Sequence, residues 1–120
     1  MLEVSFYRDE SHRVAGISAR GHVDLAPHGK DVVCAAVSAI LQAARLGLTE
    51  YCRSGIAAQQ EPGRFELSLP ALQRDDPSVR AIVATAELAI ERIAAQYPKE
   101  VRLHRDAAPV REAGTAGGYS

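Results

Sequence analysis

The amino-acid sequence predicts an α+β domain in which two β-hairpins are each followed by a helix and a short strand comes last. Two observations predict this class. Apolar residues alternate with polar ones in the expected hairpins, and they recur every three to four residues in two longer segments. Consecutive hairpins favour a largely antiparallel sheet, and each helix needs a partner for its apolar stripe. We therefore expect two helices packed against a largely antiparallel sheet.

The first hairpin is predicted near the start of the chain. Residues 2–7 alternate strictly between apolar and more polar side chains, which is the period of a strand with one buried face. Residues 9–12 are polar and supply a turn, and residues 13–20 return as the second strand. Gly16 interrupts the alternation of that strand and indicates a bulge or a close backbone approach.

Two helices are predicted from helical periodicity together with end signals. The first has Asp31 as its N-cap and ends at Gly47. The second has Asp76 as its cap and Pro77 in its first position, and it ends before Pro98. The apolar stripes expected to be buried are Val33, Val37, Ile40, Leu41, Ala44 and Leu48 in the first helix, and Val79, Ile82, Val83, Ala86, Ile90, Ile93 and Tyr97 in the second.

The remaining elements are shorter. Residues 51–58 and 64–69 are predicted to form a second hairpin joined by a turn that contains Pro-Gly. Residues 101–103 suggest a last strand. With 120 residues the chain has room for one compact domain, which we expect over residues 1–106, and residues 107–120 are expected to form a disordered tail.

Composition and charge exclude several classes of function. Fourteen Lys and Arg face fifteen Asp and Glu without a basic block, so direct binding of nucleic acid is not expected. The start of the chain lacks a signal-like segment, which predicts a cytoplasmic protein with Cys34 and Cys52 as reduced thiols. The longest weakly polar run, residues 32–44, is too short to cross a bilayer, so we interpret it as a buried helix and expect no membrane association.

Cys34 and His22 are the candidate reactive pair. A cysteine near the start of a helix is close to unpaired N–H groups and to the positive end of the helix dipole, which favour the thiolate and can stabilise an oxyanion. His22, at the other end of the loop before the helix, can accept and return a proton. Asp31 caps the helix or orients the imidazole. Ser38, one turn beyond Cys34, donates a hydrogen bond into the site or bonds back to a helix carbonyl.

The same residues have plainer interpretations. From position alone, Cys34 can be core packing and His22 a solvated loop residue. A metal site made of Cys34, Cys52, His22 and His28 has no recognised zinc spacing, and Cys52 falls on a predicted strand. We therefore expect no metal and no cofactor, and the residues alone leave the choice between catalysis and packing open.

One segment carries a specific resemblance. GHVDLAPHGKDVVCAAVSAI, residues 21–40, resembles the signature of the ribosomal-processing cysteine protease family Prp, also called the YsxB-like family. That signature has Gly-His, a loop of about eight residues ending in Gly-x-Asp, two apolar residues, and then Cys-Ala-Ala-x-Ser. The matching positions are Gly21, His22, Gly29, Asp31, Cys34, Ala35, Ala36 and Ser38. The likeness extends to the order of elements over most of residues 1–106.

The resemblance implies a small cytoplasmic cysteine endopeptidase, usually a homodimer. Such an enzyme removes a short N-terminal extension from large-subunit ribosomal protein twenty-seven through a thioester acyl-enzyme. It implies Cys34 as nucleophile and His22 as general base and acid. Residues 23–30 would form a movable cover over the substrate. Supporting roles are implied for Asp31, Ser38, Gly21 and Gly29.

The loop after His22 departs from the family pattern. Residues 23–27 include Val, Asp, Leu and Pro where members favour small residues and an aromatic one, which puts substrate preference in question. His28 is a second imidazole in this loop, but His22 is the one that follows glycine at the matching place. The alternative to a protease is a non-catalytic dimeric protein of the same fold that binds a ribosomal protein or an assembly intermediate, with Cys34 as packing and His22 on the surface.

Overall fold

The computed structural model describes residues 1–21 and 30–108, with the backbone alone at residues 30 and 31. The predicted loop cover, apart from Lys30, and residues 109–120 of the predicted tail lie outside the described residues. The tail begins later than residue 107, because Ala107 ends the last strand and the N–H of Ala108 donates to the carbonyl of Arg8 at 2.8 Å. The elements in chain order are β1 (Leu2–Arg8), β2 (Val14–Arg20), α1 (Lys30–Leu46), β3 (Ala57–Glu61), β4 (Arg64–Ser68), α2 (Pro77–Gln96) and β5 (Val101–Ala107). The α+β class is confirmed.

The described strands form one sheet in the order β3-β4-β2-β1-β5. Three of its four pairings are antiparallel, as expected from the two hairpins, and β5 pairs with β1 in parallel. The sheet is therefore mixed, with the first strand of the chain lying between β2 and the last strand. This parallel pairing joins opposite ends of the domain, which a local pattern does not encode.

The irregularity expected at Gly16 is present. Gly16 pairs with Tyr7, but the next pair along the hairpin joins Val14 to Arg8, which leaves Ala15 as an extra residue. β2 thus has one more residue than β1 over this stretch, which is the arrangement of a β-bulge.

The limits of α1 differ from the prediction at both ends. Lys30 is already helical, so Asp31 lies inside the helix and is not the residue before it. At the other end, the helix does not stop at Gly47 but continues as a π-helical turn, Gly47–Tyr51. Leu48, in that turn, is fully buried. The extra turn therefore adds one more apolar side chain to the core.

The second hairpin begins later than predicted. β3 starts at Ala57 and not near Tyr51, and Cys52 lies just after the π-helical turn and not on a strand. The reason is a buried polar contact, because the Ser54 hydroxyl donates to the carbonyl of Leu48 at 2.8 Å. This bond folds the segment back against the end of the helix before the strand can begin.

The predicted start of α2 is confirmed. The Asp76 carboxylate accepts hydrogen bonds from the backbone N–H groups of Ser78 at 2.8 Å and Val79 at 3.2 Å, and Pro77 occupies the first helical position. Tyr97, expected on the buried stripe, instead follows the end of the helix and is 40% exposed.

One core lies between the helices and the sheet. Its fully buried large side chains come from both layers: Val4, Phe6 and Ile17 from the sheet, Val37 and Leu48 from the first helical segment, and Val79 and Ile90 from α2. The apolar helical stretch Val32–Tyr51 has 20 residues and a mean hydropathy of 1.7, so it is longer than the predicted run and reaches bilayer-spanning length by composition. Since its apolar stripe contributes to the core cluster, we interpret it as a core helix.

Buried charges tie α2 to the sheet. Glu87 is 6% exposed and accepts two hydrogen bonds from Arg8 at 3.1 and 2.8 Å and one from Arg105 at 2.6 Å. Asp9, in the turn between β1 and β2, accepts in the same way from Arg13 and Arg74, each at 3.0 Å. Both carboxylates are thus held by two guanidinium groups.

These carboxylates predict a loss of stability in acid. Burial opposes ionisation of Glu87 and Asp9, but their hydrogen bonds outweigh it, and the pKa of each lies below its ordinary value, 4.5 for Glu87 and 3.8 for Asp9. The unfolded chain therefore binds protons at higher pH than the folded chain. The two carboxylates stabilise the fold fully at pH values above their ordinary pKa values, and this stabilisation is lost as the pH falls through their lowered pKa values in the folded protein. Urea unfolding at a series of pH values below about 5 is expected to show this loss, with a shallower dependence in Glu87→Gln. An unchanged dependence in that variant would contradict the assignment to Glu87.

Candidate active site

Cys34 lies on the inner face of α1. Its side chain is 5% exposed and belongs to the core cluster together with Val33 and Val37. Because Lys30 is already helical, Cys34 lies at least one full turn into the helix, whereas an N-cap at Asp31 would place it in the first turn. Its own N–H has the carbonyl of Lys30 as its helical acceptor, so the unpaired N–H groups belong to the residues before it. Any oxyanion contact from this helix must therefore come from the preceding turn.

A cleft of about 560 Å³ opens beside this helix, between α1 and the β3–β4 hairpin. Buried apolar side chains form its floor, and exposed or half-buried polar side chains stand around it. The floor includes Ala19, Val37, Leu41 and Phe65, and the rim includes Ser38, Gln42, Gln60 and Arg64. Ser38 lies one turn beyond Cys34 on the same helix, and it is exposed and lines the cleft.

Gly21 borders the same cleft at the end of β2. Its N–H donates to the carbonyl of Gly63 in the hairpin turn at 3.1 Å. A Cβ on Gly21 would lie 2.7 Å from the Cα of Leu2 and 2.8 Å from the carbonyl oxygen of Met1. Gly63 has a φ of +77°, which favours glycine. These two glycines therefore let the end of β2, the start of β1 and the hairpin turn meet closely.

We expect Gly21→Ala to lower the free energy of unfolding by about 1–3 kcal/mol, because the added methyl group meets backbone atoms that cannot move aside independently. Gly47→Ala is the matched control. Its Cβ would meet only the end of the Ile82 side chain, at 3.0 Å, and we expect a change below about 1 kcal/mol. Urea unfolding of both variants measures the difference, and equal losses would contradict the role given to the close backbone approach at Gly21.

His22, Gly29 and the alternative imidazole His28 lie outside the described residues, as does the side chain of Asp31. Of the predicted site residues, Gly21 and Ser38 border the cleft, and Cys34 lies in the core on the same helix as Ser38.

The geometry contradicts the four-residue metal site. Cys34 and Cys52 are separated by most of α1 and its π-helical turn, a distance on the order of 20 Å along the helix axis. One ion cannot bind both thiols at that separation. Within residues 1–21 and 30–108, moreover, no group of three or more His, Cys, Asp or Glu side chains is arranged to hold a metal ion.

Two residues on the cleft were not identified from sequence. Gln42 on α1 donates a hydrogen bond to Gln60 on β3, and Arg45 donates to Gln42 at 3.2 Å. The signal available was modest: Gln42 is one of a few polar residues in a mostly apolar first helix. Its contact with Gln60 depends on the register of β3, which was predicted too early in the chain.

Comparison with known proteins gives consistent results. The family model described as cysteine protease Prp matches residues 1–102. The ribosomal processing cysteine protease Prp of Staphylococcus aureus is 26% identical over 107 residues, which cover 87% of this chain and 98% of that protein.

Solved structures show the same fold. The Staphylococcus aureus Prp structure in complex with a substrate peptide superposes with a TM-score of 0.78 at 20% identity, covering 88% of this chain and 99% of that one. The same protease with a covalently linked product peptide gives a TM-score of 0.70 at 20% identity and the same coverage. Because the family model spans most of the 120 residues, including Cys34 on its helix and Gly21 and Ser38 at the cleft, the chain belongs to the Prp family of cysteine proteases.

Proposed function

We propose that this protein is the endopeptidase that removes a short N-terminal extension from large-subunit ribosomal protein twenty-seven of its host. The observation that carries the proposal is the cleft next to the helix of Cys34, bordered by Ser38 and by Gly21, the residue that precedes His22 in the sequence. A substrate peptide bound to the Staphylococcus aureus relative supports a polypeptide as the ligand class.

The proposed reaction uses Cys34 and His22. His22 takes the proton of the thiol, and the Cys34 sulfur attacks the carbonyl carbon of the scissile peptide bond. The proton then passes from His22 to the leaving amine as the C–N bond breaks, which leaves a thioester on Cys34. Water, deprotonated by His22, attacks the thioester and releases the new carboxylate and the thiol. The covalently linked product peptide in the Staphylococcus aureus relative supports a covalent intermediate.

The other site residues have supporting roles in this proposal. Gly21, next to His22 in the sequence, allows the close backbone approach of β2 to the start of β1, and Ser38 offers a hydroxyl to the bound peptide. Asp31 and Gly29 shape the start of the helix and the loop before it. No step of this chemistry needs a cofactor.

The setting of the enzyme is also part of the proposal. We infer a cytoplasmic homodimer that binds its substrate through protein contacts, without direct contact to nucleic acid or to a membrane. The balanced charge of the sequence supports the absence of nucleic-acid binding, because a chain without a basic block gains little from neutralising phosphates. Light scattering coupled to gel filtration tests the dimer.

One observation favours the rival function, a binding protein that does not cleave. Cys34 is 5% exposed, and a nucleophile must be reached by its substrate. Iodoacetamide labelling of the native protein, followed by mass spectrometry, measures that access. Cys52 is the internal reference, because burial and the nearby Asp76 carboxylate raise the pKa of its thiol and slow its reaction. A protease is expected to label faster at Cys34 than at Cys52, and labelling at Cys52 alone supports the rival.

The direct test is cleavage of a peptide that spans the junction between the extension and the mature ribosomal protein. We expect a single cut at the junction, detected by mass spectrometry. A peptide that binds to the native protein and stays intact would overturn the proposed endopeptidase and support the binding protein.

A further inference from the structure

The cleft contains a polar residue at a position that faces the core side of the sheet. Gln60 in β3 pairs with Phe65 in β4, which pairs with Ala19 in β2. Residues directly opposite one another share a face of the sheet, and both Phe65 and Ala19 are buried under the helices. Gln60 belongs to that face but is exposed, so the helix layer ends before this edge strand.

Gln42 meets Gln60 from the other side of the cleft. Its Nε2 donates to Oε1 of Gln60 at 2.5 Å, and its Oε1 accepts from Nε of Arg45. Arginine can only donate, so this contact fixes the orientation of the Gln42 amide and directs its NH₂ group toward Gln60. The cleft is therefore spanned by a hydrogen bond between a donor on α1 and an acceptor on β3.

This pair complements the backbone of a polypeptide. Each peptide residue supplies one N–H and one C=O, and an extended segment presents them to either side. A segment inserted between Gln42 and Gln60 replaces one hydrogen bond with two. Beneath it, Val37, Leu41 and Phe65 form an apolar floor on which an apolar side chain can be buried.

We propose that Gln42 and Gln60 bind an extended stretch of the substrate, with Gln42 donating to a substrate carbonyl and Gln60 accepting from a substrate N–H, and with an apolar substrate side chain over the floor. The proposal rests on the proposed endopeptidase function, whose nucleophile lies two turns before Gln42 on the same helix. It makes these two amides determinants of substrate affinity and leaves the bond-breaking step to other groups.

The test is steady-state cleavage of the junction peptide by single variants. Gln42→Ala and Gln60→Ala are expected to raise KM about tenfold and to leave kcat within about twofold, because they remove ground-state binding contacts. Gln59→Ala is the matched control: Gln59 neighbours Gln60 in β3 but pairs with Glu66 and faces the other side of the sheet. A KM for Gln60→Ala equal to that of Gln59→Ala would overturn the proposal.

Conservative variants separate substrate binding from a merely structural contact. Gln60→Glu keeps an acceptor oxygen and is expected to retain a KM near that of the native protein. Gln42→Glu loses the donor and is expected to behave like Gln42→Ala. If the two amides served only to fasten the helix to the hairpin, Gln42→Glu would lower the free energy of unfolding, and both glutamate variants would leave KM unchanged.

A binding measurement keeps the two proposals apart. Fluorescence anisotropy of the labelled junction peptide with Cys34→Ala reports affinity without cleavage. Weaker binding on adding Gln42→Ala or Gln60→Ala supports the amide contacts even if the native protein does not cleave. Cleavage by the native protein with unchanged affinity in both glutamine variants would overturn the amide contacts and leave the protease in place. A peptide that neither binds nor is cut would overturn both.

Discussion

Replacing Cys34 with alanine is expected to lower the rate of junction-peptide cleavage by roughly 10⁴-fold or more, because the thioester cannot form without the sulfur. The side chain is buried in the core, so the variant also loses some packing, and its fold must be checked by circular dichroism. Cleavage is followed by mass spectrometry over a long incubation, so that a slow residual rate is measured.

Cys52→Ala is the matched control for this experiment. Cys52 is half-buried after the π-helical turn and far from Cys34 along the helix, so its removal is expected to leave kcat/KM within about twofold. Equal activity of Cys34→Ala and the native protein would contradict the assignment of the nucleophile. Loss of activity in both variants, each folded, would contradict the separation of the two thiols.

Glu87→Ala is expected to lower the free energy of unfolding by about 2–4 kcal/mol. The carboxylate is the common acceptor for Arg8 and Arg105, so its removal takes away three charge-assisted hydrogen bonds between α2 and strands β1 and β5. It also leaves Arg8, which is two-thirds buried, without its acceptor. Urea unfolding followed by circular dichroism measures the change.

Glu91→Ala provides the comparison for Glu87. Glu91 lies one turn further along α2 and contacts the same Arg105 at 3.3 Å, but its side chain is 45% exposed. Exposed ion pairs contribute little, so we expect a loss below about 1 kcal/mol. Similar losses in the two variants would show that burial of the Glu87 carboxylate is not what makes it important.

The elements governed by local signals were predicted well from sequence. The first hairpin followed from strict alternation in residues 2–7, and the start of α2 followed from the Asp76 cap and Pro77. The second hairpin was displaced because the first helix continues as a π-helical turn and the Ser54 hydroxyl then bonds to the carbonyl of Leu48, six residues earlier. The alternation of apolar and polar residues signals neither feature.

The candidate site likewise contains residues that local sequence signals identify and residues that they do not. Cys34, Ser38 and Gly21 were identified from the signature, and the structure adds a physical reason for Gly21 in the backbone atoms that a side chain would meet. Gln42 and Gln60 were not identified, because they lie eighteen residues apart in the chain and meet only through the packing of α1 beside the edge strand. A residue that contacts a partner on another element cannot be recognised from sequence until the packing and register of the two elements are known.

The pairing of β5 with β1 has a consequence for the order in which this protein folds. Leu2 lies beside Val101 in that ladder, and Leu2 also borders the cleft. During synthesis on the ribosome, β1 can pair with β2 soon after both emerge, but its other edge lacks β5 until about a hundred further residues have been translated. A partly made chain therefore exposes an open strand edge at Leu2, beside an unfinished cleft, until β5 has docked.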